Sequence, residues 1–226
     1  MLKRISLIAF MVMLAAMPAF AQKAEVGVTF GWSLNDGVSG GDQRIPIGCV
    51  SNCLGVFNRL DPKDAFAWAI DLGFFVSPNA EVGFMYSQSP STLQAGGTST
   101  LDIGNMLIQN YHGTFTYNFG EHDAAVRPYV LVGLGATNFG STDFTRQNGA
   151  PGTISGVSRF STTWGAGVKL YGASKVGARV GVKVTPAYIK SDAAGYWCDP
   201  YWGCYLVGDA QYANQFEFGG GITFRF

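Results

Sequence analysis

Two histidines, four cysteines and a set of spaced charges are the groups in this 226-residue chain that could do chemistry. A hydrolytic centre needs a nucleophile with a general base within hydrogen-bond reach. His112 precedes Thr114 by two residues, but strand alternation sends both side chains to the same inner face, and no other nucleophile stands near either in sequence. His112 therefore reads as an interior hydrogen-bonding residue, and His122 as a solvated turn residue. No phosphate loop or dinucleotide fingerprint is present, because the glycines follow a strand period with no helix after them. No catalytic residue, metal site or cofactor is expected.

The cysteines fall in two pairs, Cys49 with Cys53 and Cys198 with Cys204. Zinc would want histidine or further cysteine ligands, and both histidines lie far from these segments. An even count in an oxidising compartment favours disulfides. Bridges within each pair are the simplest arrangement, with bridges between the two loops left open. Trp197, Tyr201 and Trp202, with Tyr196 and Tyr205, flank the second pair. Such aromatics suit a recognition surface, or they pack on the bridge and rest at the lipid headgroups.

These groups must be positioned by strands, because the side-chain pattern has a period of two. Val26, Val28, Phe30 and Trp32 share one face of residues 24–33, and Glu25, Gly27, Thr29 and Gly31 the other. The same alternation recurs over 65–76, 80–88, 105–119, 128–139, 159–171, 176–186 and 214–226. Long connections (34–64, 89–104, 140–158 and 187–213) follow the odd-numbered strands, and short turns follow the even ones. An even strand number with that rhythm predicts an all-β fold, an eight-stranded antiparallel transmembrane up-and-down β-barrel. Both termini then face the periplasm and the long loops face outside. A secreted β-sandwich has no reason to alternate its connections this way.

The inner face carries balanced charge: Glu25, Asp71, Glu81 and Glu217 against Lys169, Arg179, Lys183 and Arg225. Eight strands leave a bore that side chains can fill. A structural ion-pair network is the first reading of these eight, and a transport path the second.

Composition and targeting agree with export. Lys3 and Arg4 precede an apolar run from Ile5 to Met17, and Ala19-Phe20-Ala21 ends it in a small-x-small pattern. Residues 1–21 are thus expected to be a signal peptide and 22–226 the barrel domain. Removing the peptide lowers Lys+Arg from 15 to 13 against 15 Asp+Glu. The mature chain is near −2 and lacks the basic excess that nucleic acid would need. Charged residues are 13% of the chain, about half the usual ~25%.

The run from Asn110 to Gly120, followed by Arg127-Pro128-Tyr129-Val130-Leu131-Val132-Gly133-Leu134-Gly135-Ala136, resembles the barrel domain of the outer membrane protein A and X type families. The resemblance covers essentially the whole mature chain and implies residence in the outer membrane of a Gram-negative bacterium. It further implies that Ile222, Phe224 and Phe226 form the ending read by the barrel-assembly machinery. The wall would meet outer-membrane lipid and lipopolysaccharide. Outer membrane protein A continues into a cell-wall-binding domain, whereas this chain stops at Phe226, so that tether is not expected. Lipid A deacylases resemble the architecture but use a His-x-Ser pair on the outer wall, which His112 and Thr114 do not reproduce. The expected role is non-enzymatic: a structural or surface-interaction barrel acting through its loops toward an unknown extracellular ligand. A small porin or hydrophobic-solute channel, of the kind outer membrane protein W resembles, is the alternative. A lipid A-modifying enzyme is a distant third.

Overall fold

The computed structural model describes residues 24–39, 57–97, 100–121, 123–145, 151–172, 175–189, 198–199, 203–204 and 211–226. Eight long strands among them form the wall: β1 (Ala24–Asn35), β4 (Ala65–Phe75), β5 (Ala80–Gly97), β6 (Thr100–Asn118), β7 (Val126–Phe139), β10 (Val157–Tyr171), β11 (Val176–Ile189) and β14 (Gln211–Arg225). Six short ones lie between them: β2 (Val38–Ser39), β3 (Phe57–Pro62), β8 (Thr142–Thr145), β9 (Pro151–Ile154), β12 (Cys198–Asp199) and β13 (Gly203–Cys204). The wall runs β5-β4-β1-β14-β11-β10-β7-β6 and closes where β6 pairs with β5. Every pairing around it is antiparallel. Among the described residues no helix is long and apolar enough to cross a membrane.

Closure removes the sheet edges, so the backbone can enter hydrocarbon with its polar groups paired. Phe30, Phe66, Phe84, Phe115, Val132 and Phe218 then stand outward and exposed, with Glu25, Glu81, His112 and Lys169 buried inside.

The strands overrun the lipid. The sequence pattern ends the third long strand at residue 88 and leaves 89–104 as a loop; instead β5 and β6 stay paired from Ala80↔Tyr117 up to Gly96↔Thr100. The nine residues beyond Gln88 add roughly 30 Å of strand. The expected loop 34–64 contains β2 and β3, which pair with each other, and β3 pairs in turn with β5. The expected loop 140–158 holds the β8–β9 hairpin, and 187–213 loses both its ends to β11 and β14.

The reason lies in a change of solvent. Below Gln88 the outward face of β5 is Val82, Phe84 and Tyr86, whereas above it Pro90, Thr92 and Gln94 face out, and Leu93 and Ala95 are buried. β6 inverts likewise: His112 and Asn110 are inward within the lipid, Ile108 and Met106 inward above it. Water outside rewards an apolar interior, so the extension carries an ordinary core. Leu60, Leu93, Met106, Ile108, Phe139 and Ile189 belong to it, with Phe144 packed against them. A search for lipid-facing alternation stops where that alternation changes phase.

Leu93 is fully buried, so Leu93→Ala is expected to lower unfolding free energy by about 2–5 kcal/mol. Urea titration of the refolded barrel in lipid vesicles measures it. A loss below about 0.5 kcal/mol would mean that the segment is a solvated loop.

Candidate functional site

The bore is the place where the barrel gathers its chemistry. Inward positions of eight strands converge there, and a barrel of this size has no room for them to avoid one another. At the end of the bore where β1 begins and β14 ends, Lys169 on β10 donates to Glu25 on β1 at 2.6 Å and to Glu81 on β5 at 2.7 Å. Neither acceptor strand adjoins β10, so this one ammonium ties three parts of the wall across the bore. The Tyr171 hydroxyl and the Asn118 amide complete the set by donating to Glu25 and Glu81, each at 2.5 Å. The Arg225 guanidinium lies 3.8 Å from Glu25 and stacks on the Tyr171 ring at 3.9 Å. Arg127, fully buried, donates from Nη2 to the Pro78 carbonyl at 3.0 Å and braces the β4–β5 turn from β7.

Arg179 on β11 crosses to Asp71 on β4 at 2.8 Å, and donates to the Tyr129 hydroxyl at 3.3 Å. Tyr129 can lie here because the wall opposite is glycine. Gly31, Gly219, Gly181 and Gly167 form one cross-strand row that ends at Tyr129. A Cβ on Gly181 or Gly167 would come within 2.6 or 2.7 Å of the Tyr129 hydroxyl. Lys183 meets Glu217 on the neighbouring strand at 3.1 Å. Cavities of about 50 and 20 Å³ remain at this level. They have room for a few waters at most.

Above the ion pairs comes a neutral layer. His112 Nε2 and Ser161 Oγ share a hydrogen bond of 2.9 Å; Thr137 donates to Asn110 at 2.6 Å, and its hydroxyl oxygen lies at hydrogen-bond distance, 2.9 Å, from the Ser161 hydroxyl. Asn110 in turn donates to Gln215 on the far wall at 3.0 Å. The absence of a nucleophile beside His112 in sequence was misleading, since pairing through β7 brings Ser161 to it from β10. Both residues are buried, and among the described residues no carboxylate is bonded to the ring. The apolar extracellular core closes the bore above this layer.

Outside the lipid, Arg59 binds Asp61 and Asp36. The hydrogen bond it donates to Asp61, before any other influence, raises the guanidinium above its ordinary range. Lys63 donates to Asp102 at 2.6 Å and holds that carboxyl below the usual carboxylate range.

All eight charges named from sequence thus meet in the bore. Arg127, Tyr129 and Tyr171 also belong there and were not named. β7 begins at Val126, so Arg127 is a strand residue and not the end of a turn. Its inward parity with Tyr129 was the available signal. Ile222, Phe224 and Phe226 face outward and exposed. The β12–β13 register sets Cys198 opposite Cys204. Cys49, Cys53, His122, Trp197, Tyr201, Trp202 and residues 1–21 lie outside the described residues.

A closed eight-stranded barrel, apolar outside for one bilayer and filled with paired polar groups inside, is a transmembrane barrel of the bacterial outer membrane. The sequence agrees: a profile of the outer membrane protein beta-barrel domain matches residues 7–226, and the chain belongs to that family. Among solved structures, OprG from Pseudomonas aeruginosa aligns with a TM-score of 0.61 at 11% identity, covering 91% of this chain and 96% of that one. AlkL, solved in lipid bilayers, aligns at 0.53 with 15% identity, covering 91% and 90%. Neisserial surface protein A aligns at 0.50 with 12% identity, covering 91% and 97%. At such identities the likeness is one of fold. No curated protein matches the sequence significantly.

Lys169→Met leaves Glu25 and Glu81 buried without their shared cation. The expected cost is about 3–5 kcal/mol, read as a lower urea midpoint. Adding Glu25→Gln and Glu81→Gln should recover part of it. Additive losses across the triple variant would mean the three groups do not act together.

Proposed function

We propose that this protein is a non-conducting, non-enzymatic barrel that anchors a β-structured extension on the cell surface for interaction with extracellular partners. One observation carries the reading: Lys169 spans the bore to both Glu25 and Glu81, and the apolar core fills the other end. A path for ions would have to break buried ion pairs at one end and wet an apolar core at the other. The Ser161–His112 pair is buried and has no acidic partner among the described residues, which argues for a structural part.

The loop residues named from sequence take their place in this proposal. Residues paired across an antiparallel ladder have Cα atoms about 4.5–5.5 Å apart, within the roughly 4.4–6.8 Å that a disulfide spans. The Cys198–Cys204 register therefore favours a bridge within that pair, and the neighbouring Trp197, Tyr201 and Trp202 are the proposed recognition aromatics. Residues 1–21 serve as the export signal, and the outward Ile222, Phe224 and Phe226 as the assembly signal.

A second reading, a hydrophobic-solute channel, draws on a break in the wall. The β4–β5 ladder stops at Trp68↔Gln88 and the β3–β5 ladder ends at Pro62↔Leu93, with the Lys63 amide donating to the Thr92 carbonyl at 2.9 Å beside it. Between them the Ser89 and Ser91 hydroxyls donate to the Phe66 and Lys63 carbonyls in place of backbone amides. This seam borders the apolar core.

Planar bilayers decide between the two. The purified protein is expected to give no steady ion current, and Lys183→Ala to leave that unchanged. A steady current altered by Asp71→Asn or Lys183→Ala would sink the filled-bore reading. Faster uptake of a long-chain alkane by cells carrying the protein would favour the channel. For the bridge, Cys198 and Cys204 should resist maleimide until reduced; labelling without reductant would retire it.

A further inference from the structure

Where the side-chain pattern inverts, the outer wall carries a row of polar side chains. Gln88, Gln109, Asn138 and Ser158 are cross-strand neighbours on β5, β6, β7 and β10. Ser158 donates to Asn138 at 3.2 Å, and Asn138 to Gln109 at 3.2 Å. Gln109 donates to the Tyr86 hydroxyl at 2.8 Å, which donates to Gln88 at 2.7 Å. Trp68 beside the row packs edge to face on Tyr86 with centroids 5.4 Å apart, and Tyr86 lies tilted against Tyr111 at 5.1 Å just beneath it. Gln88 stands eight residues beyond Ala80 along β5. A tilted strand needs about 9–11 residues to cross the hydrocarbon. This row and its aromatics thus mark the headgroup level of the outer leaflet.

A cavity of about 550 Å³ opens directly above the row. It lies at the seam, where the regular ladder between the two strands is interrupted, beside Pro90, which has no N–H to offer. Asp64, Asn105 and Ser141 on its rim are exposed, and Ala65 and Met106 at its floor are buried. Leu107, paired with Pro90, faces into it. The volume falls within the roughly 300–1,000 Å³ of small-molecule sites. The lining mixes amide and hydroxyl groups with an apolar floor and carries no free cation: Lys63 is already held by Asp102, and the Asp64 carboxylate sits on the rim. A phosphate would find no unpaired cation on this lining and would meet the Asp64 carboxylate, so charge alone holds no headgroup here. The hydroxyls of a sugar ring would meet donors and acceptors.

We propose that this cavity binds one sugar unit of an outer-leaflet glycolipid headgroup, whose acyl chains descend over Trp68, Tyr86 and Tyr111. The polar row holds the ring's lower edge, and Asn105 and Ser141 hold its upper one. The barrel thereby carries a defined glycolipid beside its seam, in addition to the bulk lipid around its wall.

Native mass spectrometry of the full-length mature protein in detergent tests this, using rough-type lipopolysaccharide and, separately, phosphatidylglycerol. One lipopolysaccharide per chain is expected, with phosphatidylglycerol retained at least tenfold less. Leu107→Trp fills the cavity and should cut lipopolysaccharide occupancy at least tenfold. Leu134→Trp, on the exposed lipid face below the row, should not. Heat-modified gel mobility reports whether each variant is folded; if Leu107→Trp is not, Asn105→Ala takes its place and should lower occupancy several-fold. Equal occupancy in wild type and a folded cavity variant overturns the site. Equal retention of phosphatidylglycerol overturns the sugar assignment.

Discussion

Everything in this protein follows from the cost of an unpaired backbone amide or carbonyl in hydrocarbon. Each such group left bare costs several kcal/mol, so strands that enter the membrane must close on themselves. β6 returning to β5 is that closure. Once eight strands close, alternation sends every second side chain into a bore too narrow to hydrate it. Charges placed there must find each other. Lys169, reaching from β10 to acceptors on β1 and β5, is the result, and the Asp71–Arg179 pair repeats it one level higher.

The same alternation explains the glycines and the aromatics together. A filled bore leaves little room, so a large interior residue needs a small one opposite. The row from Gly31 to Gly167 supplies that room and Tyr129 occupies its end. Outside, the constraint is the height of the bilayer. The outward face stays apolar for as long as lipid covers it and turns polar at Gln88, Gln109 and Asn138. The interior changes in the opposite sense. Above the row the barrel is built like a water-soluble protein, with Leu93 and Ile108 inside and Thr92 and Gln94 outside.

Two solvents acting on one continuous sheet give the molecule distinct functional regions. The part in lipid is sealed by ion pairs and has little freedom to change. The part in water is wrapped on one side by β3 and interrupted below it by the seam at Pro90, Ser89 and Ser91. Irregular backbone is tolerated there because hydroxyls and water can satisfy it. The cavity and the hairpins of this barrel gather at and above that boundary.

The sequence alone determined the fold, the strand number, the orientation of both faces within the lipid and the eight charges of the bore. Period two is a local property, readable from neighbours such as Val26, Val28 and Phe30. It could not show that 89–104 is paired strand, because the alternation there reverses its sense and Pro90 reads as a breaker. Nor could it bring Ser161 to His112, set Tyr129 over Gly181, or make one lysine serve Glu25 and Glu81. Those contacts depend on register across strands far apart in the chain and on the curvature of a closed wall. Only the assembled barrel sets both.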